Sequence, residues 1–265
     1  MISITCTIIS SYTTRYNCAS NGLKKMKNHS FSILVRQTTR EPKSLLYYKK
    51  NVKNYLRQLF NILKRDRKKL LAYQVINNTV YLFFRENDLN EISKIVQHLH
   101  GIVSSDYSKI TRKEPPFWKA RPRYTLVQSG DPTKEVLSNL FQLPIYHHRA
   151  LHPAGWWCSS YSESVYLKKR YRLIDRQAIL EKTDLNDKEF SNWLSEIARD
   201  TKDGLREFKQ MEDALAIGEE SWIYSQYHLG RDKNDKFISW GSSMALAWTR
   251  NTIGNQKSLL RHKII

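Results

Sequence analysis

The stretch INNTVYLFF, residues Ile76 to Phe84, decides how the chain folds. Asn77 and Asn78 stand between two apolar runs, LLAYQVI before and TVYLFF after. Asparagine tolerates the positive φ angles of a tight turn, so the pattern predicts a strand hairpin. Thr79 and Tyr81 lie two apart on its second strand, so their side chains project from the same face of the sheet. That geometry can aim a pair of ligands at one metal ion, yet neither threonine nor tyrosine is a usual metal ligand.

Working outward, FSILVR (Phe31 to Arg36) is rich in β-formers and predicts a first strand. Val52, Leu56, Leu59 and Leu63 recur at helical spacing among cations, which predicts an amphipathic helix before the hairpin. A second helix follows it, with Ile92, Ile95, Val96, Leu99 and Val103 on one side, and RPRYTLVQS supplies a fourth strand. The order β-α-β-β-α-β predicts an α+β fold of the ferredoxin-like, split βαβ type. Its antiparallel sheet carries helices on one face and leaves the other free. A further helix is expected over PTKEVLSNLFQL, with Asp131 as cap and Pro132 in the first turn. Past Trp156 the sequence predicts a helical tail, with helices near Asp175–Leu180, Asp187–Arg199 and Glu219–Leu229. The chain thus divides into an N-terminal arm (1–25), a domain (26–155) and a helical C-terminal region (156–265). The arm is read as disordered or as an over-extended start, since Met26 opens more regular sequence.

The charge is lopsided. Met1 to Ile174 holds 30 Lys and Arg against 10 Asp and Glu, whereas Asp175 to Ile265 holds 14 against 15. The whole excess behind the net +19 therefore sits in the first two thirds, the electrostatic footprint of a module that holds a polyanion. FWKARPRY clusters Lys119, Arg121 and Arg123 beside Trp118 and Tyr124, a mix of cations and aromatics suited to phosphate contact and base stacking. No run of about 18 apolar residues occurs, so no membrane partner is expected. Cys6, Cys18 and Cys158 lie far apart, which argues against a disulfide framework and for a reducing, cytoplasmic setting. His98 and His100 in HLH fall on a helix and diverge by about 200°. His147, His148, His152 and Cys158 fit no common zinc spacing. Trp156 and Trp157 are read as core residues that dock the tail.

Five segments in order resemble the REP-associated tyrosine transposases, members of the single-tyrosine HUH superfamily: LLAYQVINNTVYLFF, ISKIVQHLHGIVSSDYSK, FWKARPRYTLVQS, CSSYSES and ALAIGEESWIYSQYHLG. The resemblance runs from about Phe31 to Gly230. It implies a fold that binds single-stranded or hairpin DNA, a histidine pair on the third strand holding Mg²⁺ or Mn²⁺, and a helical tyrosine that attacks the phosphate. Here Thr79 and Tyr81 stand at the two histidine positions. Aligning QLPIYHHRAL places Gln142 at the nucleophile and Tyr146 at the third ligand, with Pro144 disturbing the helix between them. All four chemical positions depart from the family pattern. The resemblance therefore implies a degenerate, nucleoid-associated bacterial DNA-binding protein, monomer or homodimer, with no cofactor and no confident catalytic residue. The expected DNA-binding set is Arg36, Trp118, Lys119, Arg121, Arg123, Tyr124 and Arg149. Two alternatives stand beside it. One is an active transposase that uses Tyr146 as nucleophile with Mg²⁺ or Mn²⁺; the other is an RNA-binding module on the same sheet topology.

Overall fold

The computed structural model describes residues 31–40, 48–85, 88–111, 117–166, 172–199, 211–227, 235–239 and 246–250. The N-terminal arm, with Cys6, Cys18 and Met26, lies outside the described residues.

The hairpin forms where Asn77 and Asn78 predict it. Strands β2 (Leu70–Ile76) and β3 (Thr79–Phe84) pair antiparallel, and Asn77 makes the turn at φ 53°. Strand β1 (Phe31–Thr38) lies antiparallel between β3 and β4 (Arg123–Gln128), which completes the ferredoxin-like order β2-β3-β1-β4. Helix α1 (Lys49–Arg65) buries Val52, Tyr55, Leu59, Ile62 and Leu63, and leaves Leu56 half-buried at the rim of that stripe. Helix α2 (Leu89–Thr111) buries Ile92, Ile95, Val96, Leu99 and Val103, the five residues its periodicity marks. The two helices pack on each other, and Tyr124 of β4 donates to Ser93 of α2.

The second sheet face is not free. Every residue of β2 and β3 is buried, side chains of both faces alike. Helix α3 (Asp131–Tyr146) packs against β2 and β4, and is buried in turn under α5 (Arg176–Thr183) and α6 (Asp187–Arg199). A near-continuous apolar strand such as LLAYQVI is what burial on both faces requires. Helix α3 starts at Asp131, one residue earlier than expected. Gly130, at φ 93°, makes its cap while the Asp131 carboxylate takes Lys134 at 3.0 Å. Pro144 does not break the helix. It lies in the last turn, and its carbonyl accepts from the N–H groups of Arg149 and Ala150 just beyond the end.

The C-terminal region is not purely helical. Beside α4 (Tyr161–Val165), α5, α6 and α7 (Glu220–Tyr227), it adds strand β5 (Ala216–Gly218) parallel to β4. Strands β6 (Asp235–Ser239) and β7 (Leu246–Arg250) extend the same sheet to seven, in the order β2-β3-β1-β4-β5-β7-β6. The β2 edge is covered by backbone from the same region. Val75 N–H donates to Cys158 at 3.2 Å, Ser160 to Tyr73 at 3.0 Å, and Asp175 to Leu70 at 2.8 Å. Covering an edge in this way removes a template for pairing with other chains. Trp156 docks here as expected, its indole donating to the Val75 carbonyl at 2.9 Å, and Trp157 lies half-buried beneath the Lys49 ammonium.

Where β5 ends, Gly218 leaves no room for a side chain. A Cβ there would lie 2.5 Å from the Trp222 ring and 2.6 Å from Gln128 Oε1, the atom that accepts the Glu219 N–H. Gly218→Ala is expected to cost about 1–3 kcal/mol, the usual penalty of overpacking, read as a lowered urea midpoint with an unchanged slope.

Candidate nucleic-acid site

The register of strands β2, β3, β1 and β4 lines up Gln74, Tyr81, Arg36 and Arg123 as successive cross-strand partners. Directly opposed residues share a face, so these side chains form one polar row across the sheet. Thr79 is also buried here and shares a hydroxyl hydrogen bond with Thr38 at 3.1 Å.

The end of a helix in the C-terminal region, residues 211–213, caps this row. The Tyr81 hydroxyl donates to Glu212 Oε1 at 2.6 Å. Arg36 Nε lies 3.0 Å from the same oxygen, and its Nη1 donates to the Glu212 main-chain carbonyl at 3.3 Å. Arg123 pairs with the next residue, Asp213, at 2.9 Å. Thr125 fixes the segment by donating to the Ala214 carbonyl at 2.7 Å, just before β5 joins the sheet. Burial and then the Glu212 carboxylate hold the Tyr81 phenol far above its ordinary range, so it stays protonated and acts as a donor.

These groups do not fit a divalent cation. A protonated phenol, a threonine hydroxyl and a carboxylate already paired with arginine make a poor donor set beside two neutral imidazoles. Among the described residues no group of three or more His, Cys, Asp or Glu is placed to hold a metal, the cluster of His147, His148, His152 and Cys158 included.

Helix α3 brings Gln142 and Tyr146 to one face, as a spacing of four requires. Gln142 is buried, accepts from the Tyr146 hydroxyl, and donates to the Ile197 carbonyl at 3.3 Å. Beyond the helix, Arg149 Nε donates to Asn77 Oδ1 at 2.9 Å, which ties the loop to the hairpin turn. His147 sits beside that turn, 3.4 Å from the Asn77 amide. Burial pushes its imidazole below the ordinary value against the opposing pull of Glu212.

The FWKARPRY cluster divides. Trp118 packs on the His100 ring at 4.2 Å and donates to the His100 carbonyl, so its indole belongs to the core. Tyr124 turns towards α2. Lys119, Arg121 and Arg149 are exposed, and no carboxylate among the described residues pairs with them. The HLH pair diverges as its helix demands, with His98 exposed and His100 buried.

Sequence reasoning missed Gln74, Glu212 and Asp213. The Gln74 amide is fully buried without a hydrogen-bond partner. Nothing local marks Glu212, whose partner Arg36 lies 176 residues away. The only signal is an acidic pair just ahead of the apolar run ALAIG.

No protein-family profile matches the chain, and no curated protein matches it. Among solved structures, it is similar to a REP-associated tyrosine transposase bound to a REP hairpin. The identity is 9% and the TM-score 0.42, over 55% of this chain and 86% of the other. At that overlap the likeness is distant and assigns no function. Among the described residues no helix is long and apolar enough to cross a membrane.

Proposed function

We propose that this chain binds single-stranded or hairpin DNA and does not cut it. The observation that carries the reading is the polar row. Where the family resemblance expects a cation-binding histidine pair, Thr79 and Tyr81 stand, and Tyr81 is committed to Glu212. Strand cleavage by a tyrosine needs both an activated nucleophile and charge stabilisation on the phosphate. Tyr146 instead spends its hydroxyl on Gln142. Binding is supported by the basic excess before Asp175 and by the exposed Lys119, Arg121 and Arg149, whose cations suit phosphate contact without base reading.

The test mixes the protein with a labelled hairpin oligonucleotide from the DNA flanking its gene, with Mg²⁺ or Mn²⁺, and resolves it on a denaturing gel. No label is expected at protein size. A labelled band that vanishes in Tyr146→Phe overturns the reading and restores a transposase. On a native gel the hairpin is expected to shift, and Arg121→Ala to reduce the dependence of log K on log salt by about one. A matched RNA hairpin that competes better than the DNA assigns the site to RNA instead.

A further inference from the structure

Arg36 and Arg123 are directly opposed on neighbouring antiparallel strands. Like charges so placed repel, and the arrangement is stable only with an anion between or beside them. In this chain Glu212 and Asp213, consecutive residues at a helix end, supply one carboxylate to each arginine, at 3.0 Å and 2.9 Å. The fit to Arg36 is incomplete. Its Nε–H is buried and lacks hydrogen-bond alignment despite the short distance to Glu212. A planar guanidinium is matched better by an anion that offers several oxygens to its fork, as a phosphate does.

We infer that Arg36 and Arg123 form a subsite for two adjacent backbone phosphates, and that Glu212 and Asp213 occupy it in the free protein and give way to the phosphates when DNA binds. The inference rests on the DNA-binding reading above. Two features make the exchange feasible. The acids lie between the buried Met211 and Ala214, whose carbonyl Thr125 holds, so the exchange is confined to Glu212 and Asp213 while β5 stays in place. The Arg123–Asp213 pair is weakened by solvent, with Asp213 68% and Arg123 47% exposed, and the deeper Arg36–Glu212 pair keeps 25% and 19% exposure. Tethering gives the acids a high effective concentration, and they exclude weakly bound anions while a polyanion with many contacts outcompetes them.

The experiment compares wild type with the double variant Glu212→Gln, Asp213→Asn, which keeps every hydrogen-bonding oxygen and removes both charges. The probe is a fluorescein-labelled DNA hairpin with a single-stranded dT tail, titrated at several salt concentrations. The variant is expected to bind about tenfold tighter. Adding Arg36→Gln and Arg123→Gln to it is expected to cancel the gain. If wild type binds and the neutralised variant binds equally, the exchange is wrong and the DNA reading survives. If neither binds at low salt, the DNA reading fails and the subsite fails with it. Hydrogen exchange on the unmutated protein gives an independent reading. Amides of residues 212 and 213 are expected to exchange faster once the hairpin is bound, and unchanged or slower exchange overturns the proposal.

Discussion

Glu163→Ala is expected to destabilise the fold by about 4 kcal/mol, because three donors lose one acceptor at once. Glu163 is buried in α4, and one of its oxygens accepts from the N–H groups of Leu173 and Ile174 at 2.6 Å and 3.0 Å. The other accepts from the Tyr73 hydroxyl at 3.3 Å. The carboxylate therefore fastens the backbone that covers the lower part of the β2 edge, where Leu70 N–H donates to Leu173 and Asp175 N–H to Leu70. Alanine leaves both amides and the phenol buried without partners, each costing about 1–3 kcal/mol. Glu163→Gln is expected to recover most of the loss. Its carbonyl still serves the two amides, and the Tyr73 hydroxyl can rotate to accept from the side-chain NH₂. The check is urea denaturation of the three proteins. Equal midpoints for alanine and wild type would show that water replaces the carboxylate at no cost.

How much of this was legible in the sequence follows from the range of the interactions. The hairpin, α1 and α2 are written in local periodicity: Asn77 and Asn78 mark the turn, and apolar residues recur at helical spacing on either side. Strand β5 was not legible, because three residues, Ala216–Gly218, are too few for a period and hold their place through pairing with β4. The covered second face follows from the continuous hydrophobicity of β2 and β3, a signal that sequence reading gave to the hairpin alone. For the site, Thr79 and Tyr81 drew notice through their spacing on one strand face and then through the family resemblance, and the structure places both in the buried polar region of the sheet. What fills that region was hidden, since the pairing of Glu212 with Arg36 joins the two ends of the fold. Composition gave the opposite hint there. The C-terminal region is neutral in sum, yet its acids are stationed on two arginines of the expected DNA-binding set.

The other large effect comes from His100, and it appears as a dependence of stability on pH. His100 is 5% exposed, with its ring against Trp118 and its Nε2 3.4 Å from the Tyr55 hydroxyl. Its Nδ1 is buried with no partner, and no carboxylate is among these contacts to hold a charged ring. Burial in this apolar pocket pushes the imidazole down to about 3. The unfolded chain takes up the proton near pH 6.5, whereas the folded chain resists it until about pH 3. Between those limits the unfolded state binds the extra proton, so stability is fully present above about pH 6.5 and is lost as pH falls. The slope from this one residue approaches about 1.4 kcal/mol per pH unit, or roughly 2 kcal/mol between pH 6.5 and pH 5. His147, also depressed by burial, adds to the loss with the same sign. His100→Phe keeps an aromatic ring against Trp118 and removes the titration. It is expected to lower this slope by nearly one proton, whatever it does to stability at neutral pH. Denaturation at half-unit intervals from pH 7 to pH 5 measures both proteins in the window where most carboxylates remain ionised. Parallel curves would mean that the folded protein accommodates a charged His100, and that water or a rearranged Tyr55 reaches the ring.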